Sequence, residues 1–387
     1  MVPFDLQCRT RIVFGEGTVS RLGEFAGELG ARRALVVSDP GIIKAGHTQL
    51  GIASLEAAGI ETQVFEGVHE NPSTEDVARG VAMASRYEPE LLVGLGGGSS
   101  MDCAKGINFV YTNGGSMRDY WGVGKALKPM LPMIAVPTTA GTGSEAQSFA
   151  LISDAETHVK MACGDKKASF RVAILDPALT LTQPNTVTAL TGVDAISHAL
   201  ETYVTKRRNP ASNAFAREAW RLLAANFARV LSTPDDVEAR GAMQLGACFA
   251  GLAIENSMLG ASHALANPLT AHYGIVHGQA IGLMLPHVIR FNAEVYAEWY
   301  EELLRASANE PGMPTLTTSE DLAKYVTELV GMAQLATKLA DKEVSSDKLP
   351  QLAADAAKQW TGTFNPGPVK AAELLEIYKL AYSGIKI

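Results

Sequence analysis

The chain has 387 residues, 47% of them hydrophobic, with 33 Lys plus Arg against 41 Asp plus Glu and a formal net charge of -8. That is apolar material for two cores, since single cores stop growing at about 250 to 300 residues, and the acidic balance excludes a nucleic-acid-binding face or a polybasic membrane surface. Cys8, Cys103, Cys163 and Cys248 stand far apart without a C-x-x-C pair, and the opening MVPFDLQCRTR has no secretory pattern, so a reducing cytoplasm is the expected location.

Along the first half, short apolar runs alternate with helical patterns: Ala34-Leu35-Val36-Val37, Leu91-Leu92-Val93-Gly94-Leu95, Met133-Ile134-Ala135-Val136 and Val172-Ala173-Ile174-Leu175. Such runs predict buried parallel strands of an α/β domain. Asp176-Pro177 stops the last of them, and the domain boundary is expected just after it, with an α/β domain over 1–180 and a helical domain over 181–387. From Pro184 onward the chain is Ala- and Leu-rich at helical spacing, with a helix stop and restart at Ser232-Thr233-Pro234-Asp235 and a loop at Asn365-Pro366-Gly367-Pro368. The weakly polar stretch Gly241 to Ala271 is broken by Glu255, Asn256, His263 and Asn267, which predicts buried helices and not a membrane span.

Three segments carry nucleotide chemistry. Gly96-Gly97-Gly98-Ser99-Ser100 follows a strand and precedes a helix, so its backbone amides can approach a pyrophosphate; a plain tight turn is the competing reading, because the spacing is not G-x-G-x-x-G. Asp39 stands at the carboxyl end of the first strong strand, where a carboxylate accepts both ribose hydroxyls and repels a 2'-phosphate, favouring NAD over NADP. By composition alone the stronger reading is a cap on the turn Asp39-Pro40-Gly41. Pro137-Thr138-Thr139-Ala140-Gly141-Thr142-Gly143-Ser144-Glu145 offers hydroxyls and glycines for phosphate or ribose, or else a helix N-cap with its capping-box carboxylate.

Metal chemistry is written in the helical half. Asp194 and His198 at i and i+4 project from one helix face, as two ligands of one ion or as a surface Asp–His pair. His263 and His277 lie in apolar surroundings, Leu259-Gly260-Ala261-Ser262-His263-Ala264-Leu265 and Ile275-Val276-His277-Gly278, where an unpaired imidazole is costly. Three imidazoles and one carboxylate suit Fe(II) or Zn(II).

The run Ala173-Ile174-Leu175-Asp176-Pro177, then Pro184, then Gly192-Val193-Asp194-Ala195-Ile196-Ser197-His198-Ala199-Leu200-Glu201, closely resembles a signature of the iron-containing (group III) alcohol dehydrogenases. So do His263, His277-Gly278 and Leu285-Pro286-His287, and with the glycine and threonine segments in family order the likeness spans about residues 10 to 385. The resemblance implies an α/β NAD domain, an all-α metal domain, a catalytic cleft between them, a homodimer, and hydride transfer between nicotinamide and a primary alcohol or aldehyde. It implies Asp194, His198, His263 and His277 as metal ligands and Gly97, Gly98, Ser99, Thr138, Thr139 and Lys160 as cofactor contacts. Gly96 belongs to the same turn, and Asp39, Asn71, Phe149 and Leu179 match positions near cofactor or substrate. His272 and His287 fall outside the family's ligand spacing. Many members carry a second histidine four residues after the first, assigned to proton relay; here that position is Asn267, which cannot titrate near neutral pH and is expected to face the same cleft as His263.

Three other functions compete with this reading. A dehydroquinate synthase-like lyase would need basic residues near the metal motifs, where they are concentrated at Lys206-Arg207-Arg208 and on helices. A metal-free maleylacetate reductase-type enzyme would have no use for a full ligand set, and a non-catalytic nucleotide-binding protein no reason to keep four metal-competent side chains in apolar surroundings.

Overall fold

The computed structural model describes residues 3–157, 159–308 and 310–384. By its internal contacts the chain divides into two compact units: one is Gln7–Thr139 with Gly143–Gln183, the other Pro184–Ile387 with Met1–Leu6 and Ala140–Thr142.

In the first unit the described strands are β1 Arg11–Phe14, β2 Arg33–Val37, β3 Glu61–Phe65, β4 Leu91–Gly96, β5 Gly122–Val123, β6 Met133–Pro137, β7 Phe149–Ser153, β8 Lys160–Gly164 and β9 Val172–Leu175. Between them run α1 Leu22–Glu28, α2 Pro40–Lys44, α3 His47–Ala57, α4 Thr74–Tyr87 and α5 Gly98–Asn113. Six strands form an all-parallel sheet in the order β1-β9-β6-β4-β2-β3. Apart from Arg33 at the start of β2, its interior strands are apolar because both faces are covered. Leu35, Val37, Leu92, Met133, Ala135 and Ala173 enter one core, while their chain neighbours Ala34, Val36, Leu91, Val93, Ile134, Val136 and Ile174 enter the other.

The four apolar runs in the sequence are found as strands within one residue of their expected limits. The edge strands β1 and β3 have no such run: one side of each lacks a partner strand, and β3 alternates exposed with covered residues. The small sheet β5-β8-β7, with β7 and β8 antiparallel, is outside the expected strands, although β7 holds the apolar run Phe149-Ala150-Leu151-Ile152. From β2 the chain moves outward to β3 and returns to the other side of β2 at β4, so the topological switch point lies between β2 and β4. Asp39 follows the first of these strands and the glycine turn follows the second.

The second unit is helical: α6 Asn185–Tyr203, α7 Pro210–Ser232, α8 Val237–Asn256, α9 Ala261–Tyr273, α10 His277–Arg305, α11 Ser319–Met332, α12 Leu349–Ala356 and α13 Ala371–Ser383. Asn209 caps α7 by accepting from Ala211 and Ser212 amides, with Pro210 at its first position. The helix ends at Ser232, and Asp236 caps its successor. One extended core runs through the unit, including Val193, Leu200, Trp220, Phe227, Leu265 and Leu283. α10 is broken at Tyr296, whose φ of -118° and ψ of 26° leave the helical region. Among the described residues no helix is long and apolar enough to cross a membrane.

His287 is buried in α10, and that burial, with Arg290 adding, pushes its imidazole down to about 4. A base whose folded pKa lies below its unfolded value of about 6.5 contributes stability above that value and loses it as pH falls towards the folded pKa. Between about pH 6.5 and 4 this residue therefore costs the fold up to about 3 kcal/mol. Urea unfolding at the two ends of that window should show a smaller acid loss for His287→Leu than for wild type; equal losses would place the acid sensitivity elsewhere.

Candidate metal centre and cofactor turn

The helical spacing of α6 brings Asp194 and His198 onto one face, and α9 and the start of α10 supply His263 and His277. Around Asp194 Oδ1 the Nε2 atoms stand at 3.4 Å for His198, 3.6 Å for His263 and 3.5 Å for His277. His198 and His263 Nε2 are 3.2 Å apart, their rings stacked, and donor atoms of Asp194, His263 and His277 all lie within 4.8 Å of one another. A tetrahedral shell with metal–ligand distances of about 2.0–2.1 Å has edges of about 3.4 Å; the four distances match such edges, while His198 stands outside the trio whose donor atoms all lie within 4.8 Å of one another.

The polar bookkeeping agrees. Asp194 Oδ1 is buried without a hydrogen-bond partner, an expensive state for a carboxylate oxygen unless a cation satisfies it. Burial pushes the Asp194 carboxyl up, but His198, His263 and His277 outweigh burial and hold it well below the usual carboxylate range. Burial likewise lowers His198 and would lower His263, yet Glu201 and Asp194 on either side raise the His263 imidazole to about 9. The cluster favours positive charge, and its donor set fits a divalent ion such as Fe(II) or Zn(II).

Two further residues shape this centre. Gly278 follows His277 in α10, and a Cβ there would stand 2.2 Å from the carbonyl oxygen of Leu190 in α6. Glycine thus lets the helix start close against the turn preceding Asp194. Glu201, the last residue of the sequence signature, accepts from His263 Nδ1 at 2.5 Å. The signature contains it without assigning it a role, although its position seven residues after Asp194 puts it on the same face of α6. Asn267 is half-buried, one turn beyond His263, and its Nδ2 donates to Gln359 Oε1 at 3.0 Å. His272 pairs with Asp355 at 3.0 Å.

In the α/β unit the switch point gathers most of the nucleotide candidates. Gly96 has φ 149°, and a Cβ there would lie 2.4 Å from Ser100 Oγ; Gly97 is the N-cap of α5, and Gly98 and Ser99 form its first turn. Asp39 Oδ1 caps α2 by accepting from Gly41 and Ile42, while Oδ2 accepts from Ser100 Oγ at 3.3 Å. Its two readings are therefore compatible: one oxygen caps, the other faces the glycine turn. Asn71, at φ 54°, donates its amide to Ser99 Oγ at 3.3 Å and accepts from Lys160 Nζ at 3.2 Å. Thr138 donates its amide to Gly96 O at 2.9 Å, and Thr139 lies beside Gly97.

The segment 137–145 does not start an α-helix: a short 3-10 turn, Ser144–Ala146, leads into β7. Lys105, fully buried in α5, holds that turn by donating to Ser144 O at 2.8 Å, Ser144 Oγ at 2.8 Å and Phe149 O at 2.7 Å. Ser144 Oγ passes a hydrogen bond to Asp102 at 2.6 Å. Phe149 is half-buried in β7, and Leu179 sits in the apolar cluster with Val36, Leu95 and Val136.

A family model described as iron-containing alcohol dehydrogenase matches residues 9–177, and the C-terminal model of the Fe-containing alcohol dehydrogenase family matches 188–382. The chain belongs to the iron-containing alcohol dehydrogenase family. It is 34% identical over 372 residues to a 1,3-propanediol dehydrogenase of Klebsiella pneumoniae, covering 95% of this chain and 96% of that protein. A crystal structure of a 1,3-propanediol oxidoreductase superposes with TM-score 0.93 at 34% identity, covering 98% of this chain and 100% of the other. A sulfoacetaldehyde reductase of Bifidobacterium kashiwanohense, solved in complex with NAD+, superposes with TM-score 0.90 at 27% identity over the whole of both chains. As a member of the family this chain is an iron-type alcohol dehydrogenase, an oxidoreductase of alcohols and aldehydes.

In this alcohol dehydrogenase Gly278→Ala should force α10 away from Leu190 and carry His277 with it. The expected result is a loss of about 1–3 kcal/mol in urea unfolding, with reduced divalent-ion content by elemental analysis. Wild-type values for both would show that the close approach is dispensable.

Proposed function

We propose that this enzyme is an NAD(H)-linked alcohol dehydrogenase or aldehyde reductase with one Fe(II) or Zn(II) held by Asp194, His198, His263 and His277, acting on a small primary alcohol or aldehyde. The observation that carries the metal assignment is the partnerless, buried Oδ1 of Asp194 facing three imidazole nitrogens. A divalent ion there supplies Lewis acidity towards a substrate oxygen, and NAD(H) carries the hydride. The protein's own part is preorganisation: α6 fixes two donors at helical spacing, and burial keeps water from competing for them.

On the cofactor side, the amides opening α5 suit a pyrophosphate, with Gly96, Gly97, Gly98 and Ser99 leaving room for it. Thr138, Thr139, Asn71 and Lys160 border the same turn, Asp39 is assigned to the adenosine ribose, and Phe149 and Leu179 are the remaining contacts implied by family position. Asn267 stands where relatives often carry a proton-relaying histidine, so proton release here uses water or a ribose hydroxyl. A homodimer in the cytoplasm completes the reading, the first from family resemblance and the second from the scattered cysteines.

Metal analysis combined with NADH oxidation against acetaldehyde, lactaldehyde, succinic semialdehyde and aromatic aldehydes tests the assignment. About one ion per chain is expected, with activity lost on chelation and restored by Fe(II). Full activity in metal-free protein would sink it.

Cofactor preference tests Asp39. Wild type should favour NADH over NADPH, and Asp39→Asn should relax the preference while retaining the Oδ1 cap of α2; Asp39→Gly should relax it too, at a cost of a few tenths of a kcal/mol in helix capping. Equal use of both cofactors by wild type would reduce Asp39 to a capping residue.

A further inference from the structure

The helix that presents His263 begins without a side-chain cap of its own. Its N-cap is Gly260, and its first amides are satisfied by residues distant in sequence: Ala261 N–H donates to Asn365 Oδ1 at 3.3 Å, and Ser262 N–H to Glu201 Oε1 at 2.7 Å. A Cβ on Gly260 would come within 3.1 Å of Glu201 Oε1 and 3.2 Å of Asn365 Oδ1, so glycine leaves room for both acceptors. Asn365 is itself locked to Asn292 by reciprocal hydrogen bonds of 3.1 and 2.8 Å. The second oxygen of Glu201, Oε2, meets His263 Nδ1 at 2.5 Å. The whole assembly is buried.

We propose that Glu201 is a positioning residue of the metal centre, fixing His263 as the Nδ1–H tautomer so that the Nε2 lone pair is presented beside Asp194 Oδ1. Resting on the metal assignment above, this follows from donor–acceptor counting. Both Glu201 oxygens face donors, one a backbone N–H that cannot be anything else, and a carboxylate can accept at both. With Nδ1 committed as a donor, Nε2 is the atom left for the metal, which displaces any proton there on binding, and ring rotation is blocked by the same bond. A carboxylate behind a metal-bound imidazole is a recurrent way to orient the ring and raise its basicity. Here the carboxylate also stabilises the N-terminus of α9 through its charge and the Ser262 amide, so the position of the ligand and the start of its helix are set by one side chain.

Glu201→Gln separates these roles. The amide has nearly the same shape but a single acceptor oxygen, which cannot serve Ser262 N–H and His263 Nδ1–H together; turned towards Ser262, its NH2 would impose the tautomer that cannot ligate through Nε2. Calorimetric titration of chelator-stripped full-length protein with Zn(II) should show about 10–100-fold weaker binding for Glu201→Gln than for wild type, with helical circular dichroism retained. Binding within a factor of about two of wild type, while His263→Ala binds poorly, would overturn the positioning role and leave the metal assignment standing. Failure of wild type to bind Zn(II) or Fe(II) would overturn both. Should the variant not fold, selective 15N-histidine labelling of zinc-loaded wild type decides directly: His263 should show a protonated Nδ1 and a ligated Nε2, and the reverse pattern would refute the proposal.

Discussion

The organising constraint in the helical unit is a buried carboxylate oxygen without a hydrogen bond. Asp194 Oδ1 faces three imidazole nitrogens at 3.4 to 3.6 Å, and among the described residues it has no hydrogen-bond partner. Desolvating such a group costs several kcal/mol unless positive charge is close. Much of the surrounding architecture serves that arrangement. α6 sets Asp194, His198 and Glu201 on one face, Gly278 admits α10 close to Leu190, and Gly260 opens space for the Glu201 carboxylate at the start of α9.

The α/β unit is organised around a backbone turn instead of a buried charge. Strand order creates a switch point between β2 and β4, and the glycine turn at the end of β4 removes the side chains that would block the amides of α5. The buried Lys105 is what keeps the neighbouring turn in place: its ammonium is fully withdrawn from water and donates to two carbonyls and a hydroxyl of the segment 144–149. A lysine buried with its donors satisfied is tolerable energetically and directional structurally.

The sequence by itself determined the interior strands, because a strand covered on both faces must be apolar at every position, and Leu91–Leu95 or Val172–Leu175 carry that signature without help. It determined the helical half through spacing, and it singled out Asp194 with His198 because residues four apart on a helix must share a face. The motifs also named the family, which the matched models bear out.

Tertiary structure alone decided the rest, because the deciding contacts join residues far apart in the chain. β1 and β3 end the sheet and are partly exposed, so neither carries the four-residue apolar run of the interior strands. The segment 137–145 has the composition of a helix cap but is held as a turn by Lys105 from another element. Glu201 closes the sequence signature without a role attached to it; its meaning comes from Ser262 and His263, more than sixty residues away, and from the glycine that lets them meet. Local pattern fixes which face a residue occupies, whereas the partner across that face is set by packing, which no local pattern encodes.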